Sequence, residues 1–428
     1  MIARPTHRLL ALLSLLILAM SACAAPEAVS DNDEPVGEEA TEPPAEAEPV
    51  EDDGGQVAAS DVVPSDAGTE DGPIMIGMNI ELSGPAAVQG QAYADAGNLW
   101  IQQTNADGGI LGRQVELEIL DNRTDQTEAV TLTRQLVDQG VVAMIGPGTS
   151  PTTLAAMDAI LEVGLPTFSM GSSEAIVTPV EEKTNVFKTP VGSIPNVEAA
   201  IRYLGEQGLS TVGVIAVNNP YGESGIAAWQ AAADAGDIDI AGIERFESDD
   251  TDTSAQLNNL VGAGAEAIAV VAIPPGAPTV RRNAVDNLGL EVPMIFDAGA
   301  GAELFIELAG AAADGALITH PPTLIWDQVA EDDPQFDALQ SFGQAYTEEY
   351  GAMSGFAGYA WDALGLLRVA IEQAGTTDSA EVVSAIENLG EYVGVDGVYT
   401  LSADDHQGLD AEALRLLTVQ DGEWIEAE

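Results

Sequence analysis

An α/β fold of two lobes, each built on a parallel sheet, is what this 428-residue sequence predicts, and three observations predict it. First, short apolar runs alternate with amphipathic stretches from residue 74 onward. The runs fall at 74–80, 115–120, 141–145, 165–170, 212–217, 267–273, 292–296 and 316–319, with helical patterns at 88–105, 126–139, 152–163, 194–207 and 277–288 between them. Strands alternating with helices of this length form βαβ units and hence parallel sheets. Second, the runs are nearly continuous in apolar residues, as strands are when helices cover both faces of the sheet. Third, so many strands would make a single sheet unusually wide, so two lobes are expected.

Polar breaks mark where the chain crosses between lobes. Lys188-Thr189-Pro190-Val191-Gly192 is the first and Thr319-His320-Pro321-Pro322 the second. Residues 334–389 read as mostly helical, including 358–374, and two last strands follow at 397–401 and 414–419. The expected first lobe is therefore 73–191 plus 320–397, and the second 192–319 plus 398–428.

Ahead of the lobes, Arg4, His7 and Arg8 precede the apolar run 9–20 and the small residues Ser21-Ala22-Cys23. A charged start, a short apolar stretch and small residues before a cut site describe a secretory signal over residues 1–22. The run is too short to span a bilayer, which takes ~20 apolar residues. Cys23, the single cysteine, excludes an internal disulfide and resembles the acceptor of a bacterial lipoprotein signal. Met20 departs from the usual aliphatic of that signal, and ordinary cleavage near Ala22 or Ala25 is the alternative. Stable anchoring would take more than one acyl chain. Residues 24–72 hold no Lys, Arg or aromatic residue and are rich in Glu, Asp, Pro, Ala and Gly. Such a segment is expected to stay disordered, a tether reaching on the order of 40 Å from Cys23.

The charge balance removes whole classes of function. Seventy acidic residues against thirteen basic ones give a formal charge of −57, which excludes nucleic acid as a partner because phosphate binding requires basic patches. The excess runs from Asp95 to Glu426, and lysine occurs only at Lys183 and Lys188. An acidic surface suited to high salt, where screening suppresses self-repulsion, accounts for this. His7, His320 and His406 are scattered, so no Cys/His metal cluster is expected.

In open α/β sheets, ligands sit beyond the carboxyl ends of strands, against helix N-termini. Two stretches have that form. Met144-Ile145-Gly146-Pro147-Gly148-Thr149-Ser150-Pro151-Thr152-Thr153 runs from a strand end through a glycine turn into hydroxyls that open a helix. Phe168-Ser169-Met170-Gly171-Ser172-Ser173 is again small and hydroxylic after a strand. Free N–H groups and the helix dipole favour an anion there by roughly 0.3–2 kcal/mol. The same hydroxyls serve as helix caps, and the two roles are compatible. No lysine follows the glycine turn, so it is not a phosphate-binding P-loop. Gly299-Ala300-Gly301 lacks the third glycine of a dinucleotide fingerprint, and Gly262-Ala263-Gly264 precedes its strand instead of following it. No G-x-S-x-G elbow is present, neither His320 nor His406 has an evident serine partner, and Asp404-Asp405-His406-Gln407-Gly408 reads as a surface turn. Nothing points to an enzyme, a metal or a cofactor.

These residues carry a family resemblance. Ile76-Gly77-Met78-Asn79-Ile80-Glu81-Leu82-Ser83-Gly84-Pro85 resembles the opening strand and loop of the leucine/isoleucine/valine-binding protein family, the type I periplasmic receptors of ABC importers. Asn105-Ala106-Asp107-Gly108-Gly109-Ile110-Leu111-Gly112-Arg113 is similar to that family's turn before its second strand, and Ile145-Gly146-Pro147, Leu165-Pro166-Thr167 and Tyr221-Gly222-Glu223 follow in the family's order. The resemblance runs from Ile74 to near the C-terminus. It implies two Rossmann-like lobes joined by a three-strand hinge, with a third crossing near 395–399, closing over a small ligand. It implies a ligand carboxylate at Ser150, Gly171 and Ser173, with Ser172 adjacent and Tyr221 approaching from the second lobe. The family's acid for a ligand ammonium aligns near Ala298, beside Asp297, and a tyrosine of the first loop is Gln89 here. The implied role is a membrane-anchored receptor delivering a branched-chain or related amino acid to the permease of an ABC importer. A binder of short amides, urea-like compounds or small carboxylic acids, or a ligand-sensing module of the same fold, is the alternative.

Overall fold

The computed structural model describes residues 72–427. The expected signal segment, Cys23 and nearly all of the expected tether lie outside the described residues.

The first sheet has β1 (Ile74–Ile80) at its heart, because Ile74, Ile76, Met78 and Ile80 are all fully buried. β2 (Val115–Asp121), β3 (Ala143–Ile145), β4 (Thr167–Ser169) and β5 (Val186–Lys188) complete it in the order β2-β1-β3-β4-β5, every pair parallel. α1 (Ala87–Ala106), α2 (Gln126–Asp138) and α3 (Ser150–Val163) are the crossovers. Their ends follow local chemistry. Asp125 opens α2 by accepting from Glu128 N at 2.8 Å, and Gly164 closes α3 in the left-handed region at φ 67°.

After α4 (Ser193–Glu206) the chain builds a second sheet from β6 (Thr211–Val217), β7 (Asp239–Phe246), β8 (Ala267–Val271), β9 (Met294–Phe296) and β10 (Leu317–His320), again parallel. Its helices are α5 (Pro220–Ala235), α6 (Ser254–Gly262), α7 (Gly276–Arg282) and α8 (Glu303–Ala309). α9 (Phe336–Tyr350), α10 (Ala357–Ala374), α11 (Ser379–Glu387) and the ribbon of β11 (Tyr392–Val393) and β12 (Val398–Tyr399) follow. This helical stretch returns to the first sheet: Phe356, Leu366 and Tyr399 share a core with Met78, Tyr93 and Trp100. A second core gathers Val214, Ile268, Phe296, Phe305 and Trp424. β13 (Arg415–Gln420) and β14 (Glu423–Glu426) finish the second sheet antiparallel, in the order β14-β13-β10-β9-β8-β6-β7.

Four local expectations change. β7 was not expected, because Asp-Ile-Ala-Gly-Ile-Glu-Arg-Phe breaks its apolar run as a half-buried edge strand does. The helix expected over 277–288 leaves α geometry after Arg282, where Asn283 turns inward and its Oδ1 accepts from Thr253 N at 2.6 Å. The return to the second sheet was expected at residue 398. Tyr399, Leu401, Leu409 and Leu414 instead pack in the first core, and the second sheet is rejoined at Arg415. His406, expected on a surface turn, is buried. Its ring stacks on Phe187 at 4.2 Å between centroids and its Nδ1 lies 2.8 Å from the Val186 carbonyl oxygen. The turn-forming residues around it predict a turn correctly. They carry no sign that the turn folds over β5, the open edge of the first sheet.

Candidate ligand-binding site

The carboxyl ends of both sheets face one cleft of about 270 Å³. Gly148, Ser150 and Gly171 line it from the first sheet, Asn219, Tyr221 and Gly299 from the second, and Phe356 and Tyr359 from the N-cap and first turn of α10. This is the position at which open α/β folds hold ligands.

The first-sheet wall is two turns knitted together by hydroxyls. Gly146 makes the first turn at φ 98°, and a Cβ there would lie 2.2 Å from the Asn79 carbonyl oxygen. Thr149 caps α3 in a reciprocal arrangement with Thr152, whose hydroxyl donates to Glu81 Oε1 at 2.7 Å. Thr153 Oγ1 meets Ser169 Oγ at 2.8 Å, and Ser169 Oγ accepts from Gly171 N at 3.0 Å. Ser173 N donates to Ser150 Oγ at 3.1 Å, which leaves the Ser150 hydroxyl proton available to the cleft. Of the first turn of α3, Pro151 has no N–H and the Thr152 N–H is taken by Thr149 Oγ1, so the Ser150 N–H is the backbone donor left over. Beneath this wall Lys188 is fully buried. Its ammonium donates to Ser172 O at 2.8 Å and lies 3.7 Å from Glu174, and burial draws its pKa down. Glu81 is also buried, behind Gly148, and desolvation raises its pKa against the bonds from Thr152 and Asn122.

The second-sheet wall is organised around one aromatic ring. Asn219 caps α5 by accepting from Tyr221 N at 2.9 Å and Gly222 N at 3.1 Å, which sets Tyr221 in the first turn. The Tyr221 hydroxyl donates to Asp297 Oδ2. Gly299 lets the ring lie there, since a Cβ on it would meet the Tyr221 hydroxyl at 2.1 Å. Asp297 is not among the residues lining the cleft and borders instead a separate void of about 20 Å³ with Asn196 and Thr319. Its Oδ1 has no partner, and burial raises its pKa to about 7.

Of the residues named from sequence, Gln89, Ser150, Gly171, Ser172 and Tyr221 line the cleft, Ser173 stands one layer behind Ser150, and Asp297 stands behind Tyr221. The structure adds Asn219, Phe356, Tyr359 and the Pro274-Pro275 pair. Asn219-Pro220 carries a readable signal, a capping residue followed by proline at the first helical position. Phe356 and Tyr359 carry none, because they reach the cleft from a helix remote in sequence. Tyr359 O accepts from Thr189 Oγ1 at 2.9 Å, which ties α10 to the first crossing.

Residues 73–423 match the family described as periplasmic binding protein. The chain belongs to that family. Among the relatives of this periplasmic binding protein is the leucine-, isoleucine-, valine-, threonine-, and alanine-binding protein of Pseudomonas aeruginosa, 27% identical over 318 residues, which are 73% of this chain and 82% of that one. A type 1 periplasmic binding protein from Bordetella pertussis has the same fold at a TM-score of 0.75 and 26% identity, covering 83% of this chain and all of that one. A branched-chain amino acid transporter substrate binding protein from Streptococcus pneumoniae, solved in complex with isoleucine, superposes at a TM-score of 0.71 and 24% identity over the same share of this chain and all of its own. The family is one of periplasmic binding proteins, which work outside the cytoplasm, and not of enzymes. Among the described residues no helix is long and apolar enough to cross a membrane.

Proposed function

We infer that this periplasmic binding protein is the receptor of an ABC importer and captures a small organic solute by its carboxylate or amide head. The observation that carries the reading is the first-sheet wall. Ser150 offers two unspent donors, its hydroxyl and its backbone N–H, at one point of the cleft, opposite Tyr221. Donors fixed in place before binding hold an anionic or carbonyl oxygen without reordering the protein. The relatives' names supply a branched-chain or related amino acid as the first ligand class to test. Residues around Met170, Ile273, Pro274 and Phe356 give the body of such a ligand an apolar surround. In this reading one lobe carries the first sheet and α9–α11, the other carries the second sheet, and Cys23 bears the lipid that holds the receptor at the membrane.

Calorimetry tests it. Ser150→Ala should weaken binding of the captured solute by roughly 1.5–3 kcal/mol, about ten- to more than a hundredfold, in a protein that still melts cooperatively. Wild-type affinity in Ser150→Ala would remove the docking assignment. For the anchor, Cys23→Ala should lose acyl label and release the protein from membranes; unchanged mass and membrane retention would remove that part.

A further inference from the structure

The side chains that line the cleft among the described residues include no Asp, Glu, Lys or Arg. Two carboxylates stand behind its walls, and neither is among the residues that line it. Asp297 accepts the Tyr221 hydroxyl on Oδ2 and lines the separate void beside Asn196 and Thr319 instead of the cleft. Glu81 lies beneath the Gly148 backbone, bonded to Thr152 Oγ1 at 2.7 Å and to Asn122 Nδ2 at 3.1 Å. An ammonium placed in this cleft would lose its water without gaining an ionic partner, and a buried cation without one is strongly disfavoured. A second observation points the same way and adds a requirement. Gln89, at 8% exposure, lines the cleft, and its buried Oε1 has no hydrogen-bond partner in the protein. A buried acceptor left unmade is costly, so the ligand is expected to bring it a donor.

We propose that the ligand of this cleft sets a carboxylate or carboxamide head against the start of α3, gives Gln89 a neutral donor such as a hydroxyl or amide N–H, and carries no ammonium group. This rests on the receptor reading and narrows it, since it separates this chain from a receptor for zwitterionic amino acids. Tyr221 fits such a ligand: with its proton committed to Asp297, it offers the cleft the apolar wall of its ring and no hydroxyl donor.

The test is a matched panel titrated into the mature protein by calorimetry. Each L-amino acid with a small apolar side chain, alanine through leucine, is compared with the 2-hydroxy acid and the desamino carboxamide of the same body. The expected result is that the tightest member is a hydroxy acid or an amide, about tenfold or more tighter than its amino-acid counterpart. Which of the two wins identifies the head group. Gln89→Leu should then weaken that member while leaving the plain desamino acid of the same body unchanged. An amino acid binding more tightly than both of its counterparts overturns the proposal and leaves the receptor reading standing. A panel in which no member of any arm binds overturns both.

Discussion

The two walls of the cleft are built on opposite plans. On the first-sheet side, hydroxyl and backbone groups of two turns bond to one another, Thr153 to Ser169, Ser169 to Gly171 and Ser173 to Ser150, so that the remaining donors are fixed before a ligand arrives. On the second-sheet side one ring is held by one half-buried acid, with Gly299 vacating the space it needs. Redundant small contacts make the first wall a docking surface that tolerates loss of any member except the one that touches the ligand. Dependence on a single pair makes the second wall easy to break and easy to retune. Away from the cleft, Ser224 Oγ accepts from Glu174 N at 3.1 Å, which joins the turn after β4 to α5.

Substitutions can break this contrast in order of effect. The largest is expected from Gly299→Ala, whose methyl group would occupy the place of the Tyr221 hydroxyl and push the ring into the cleft. Binding should fall by more than about a hundredfold while the fold persists, measured by calorimetry beside a melting curve. Ser150→Ala comes next at the tenfold-to-hundredfold scale given above, whereas Ser173→Ala, which keeps its backbone N–H on Ser150, should cost only a few-fold.

The third prediction concerns pH and the acids behind the cleft. Burial raises Asp297 to about 7, raises Asp362 to about 7, and pushes Asp396, beside Asp362, well above the usual carboxylate range. Asp362 accepts from Val395 N and Asp396 N at 2.9 Å each, so of that pair it is Asp396 that keeps its proton. Acids with folded pKa values above their unfolded ones bind more protons when folded. Stability therefore falls as pH rises from the unfolded carboxylate value near 4 through 7 and beyond. His320, lowered to about 4 by burial, acts with the opposite slope between its unfolded value near 6.5 and 4, opposing the acids at the low end of that range. The melting midpoint should thus drop between pH 6.5 and 8, and Asp396→Asn should flatten the drop; an unchanged slope in that variant would remove the acid pair as its source. The smallest effect is expected from salt. With a charge of −57, the midpoint should climb gradually with monovalent salt beyond physiological strength, and a flat response would remove the high-salt account of the acidic composition.

The legibility of this molecule in its sequence follows how local each signal is. Continuous apolar strands such as β1 and β8 and capped helices such as α2 and α3 are encoded by neighbours in the chain, and they stand where the sequence puts them. The turns at 146–150 and 168–173 were legible for the same reason: glycine and hydroxyl residues after an apolar run define both a turn and a helix start. Edge strand β7 was not, because one face is half exposed and its apolar period is broken by Gly242 and Glu244. The return of residues 399–414 to the first core and the burial of His406 depend on contacts with β5 more than two hundred positions away, which no local pattern records. The same holds for Asp297. Sequence puts it beside the cleft, and only the fold turns its carboxylate behind Tyr221.

Native mass spectrometry of the gently purified protein, run beside Gly299→Ala, tests the central claim that this cleft holds the solute. The wild type should retain a small molecule at one-to-one stoichiometry, and Gly299→Ala should lose it while keeping a native charge-state distribution. Retention of the same molecule by both proteins would contradict the account, because the solute would then bind at a place the Tyr221 ring does not control.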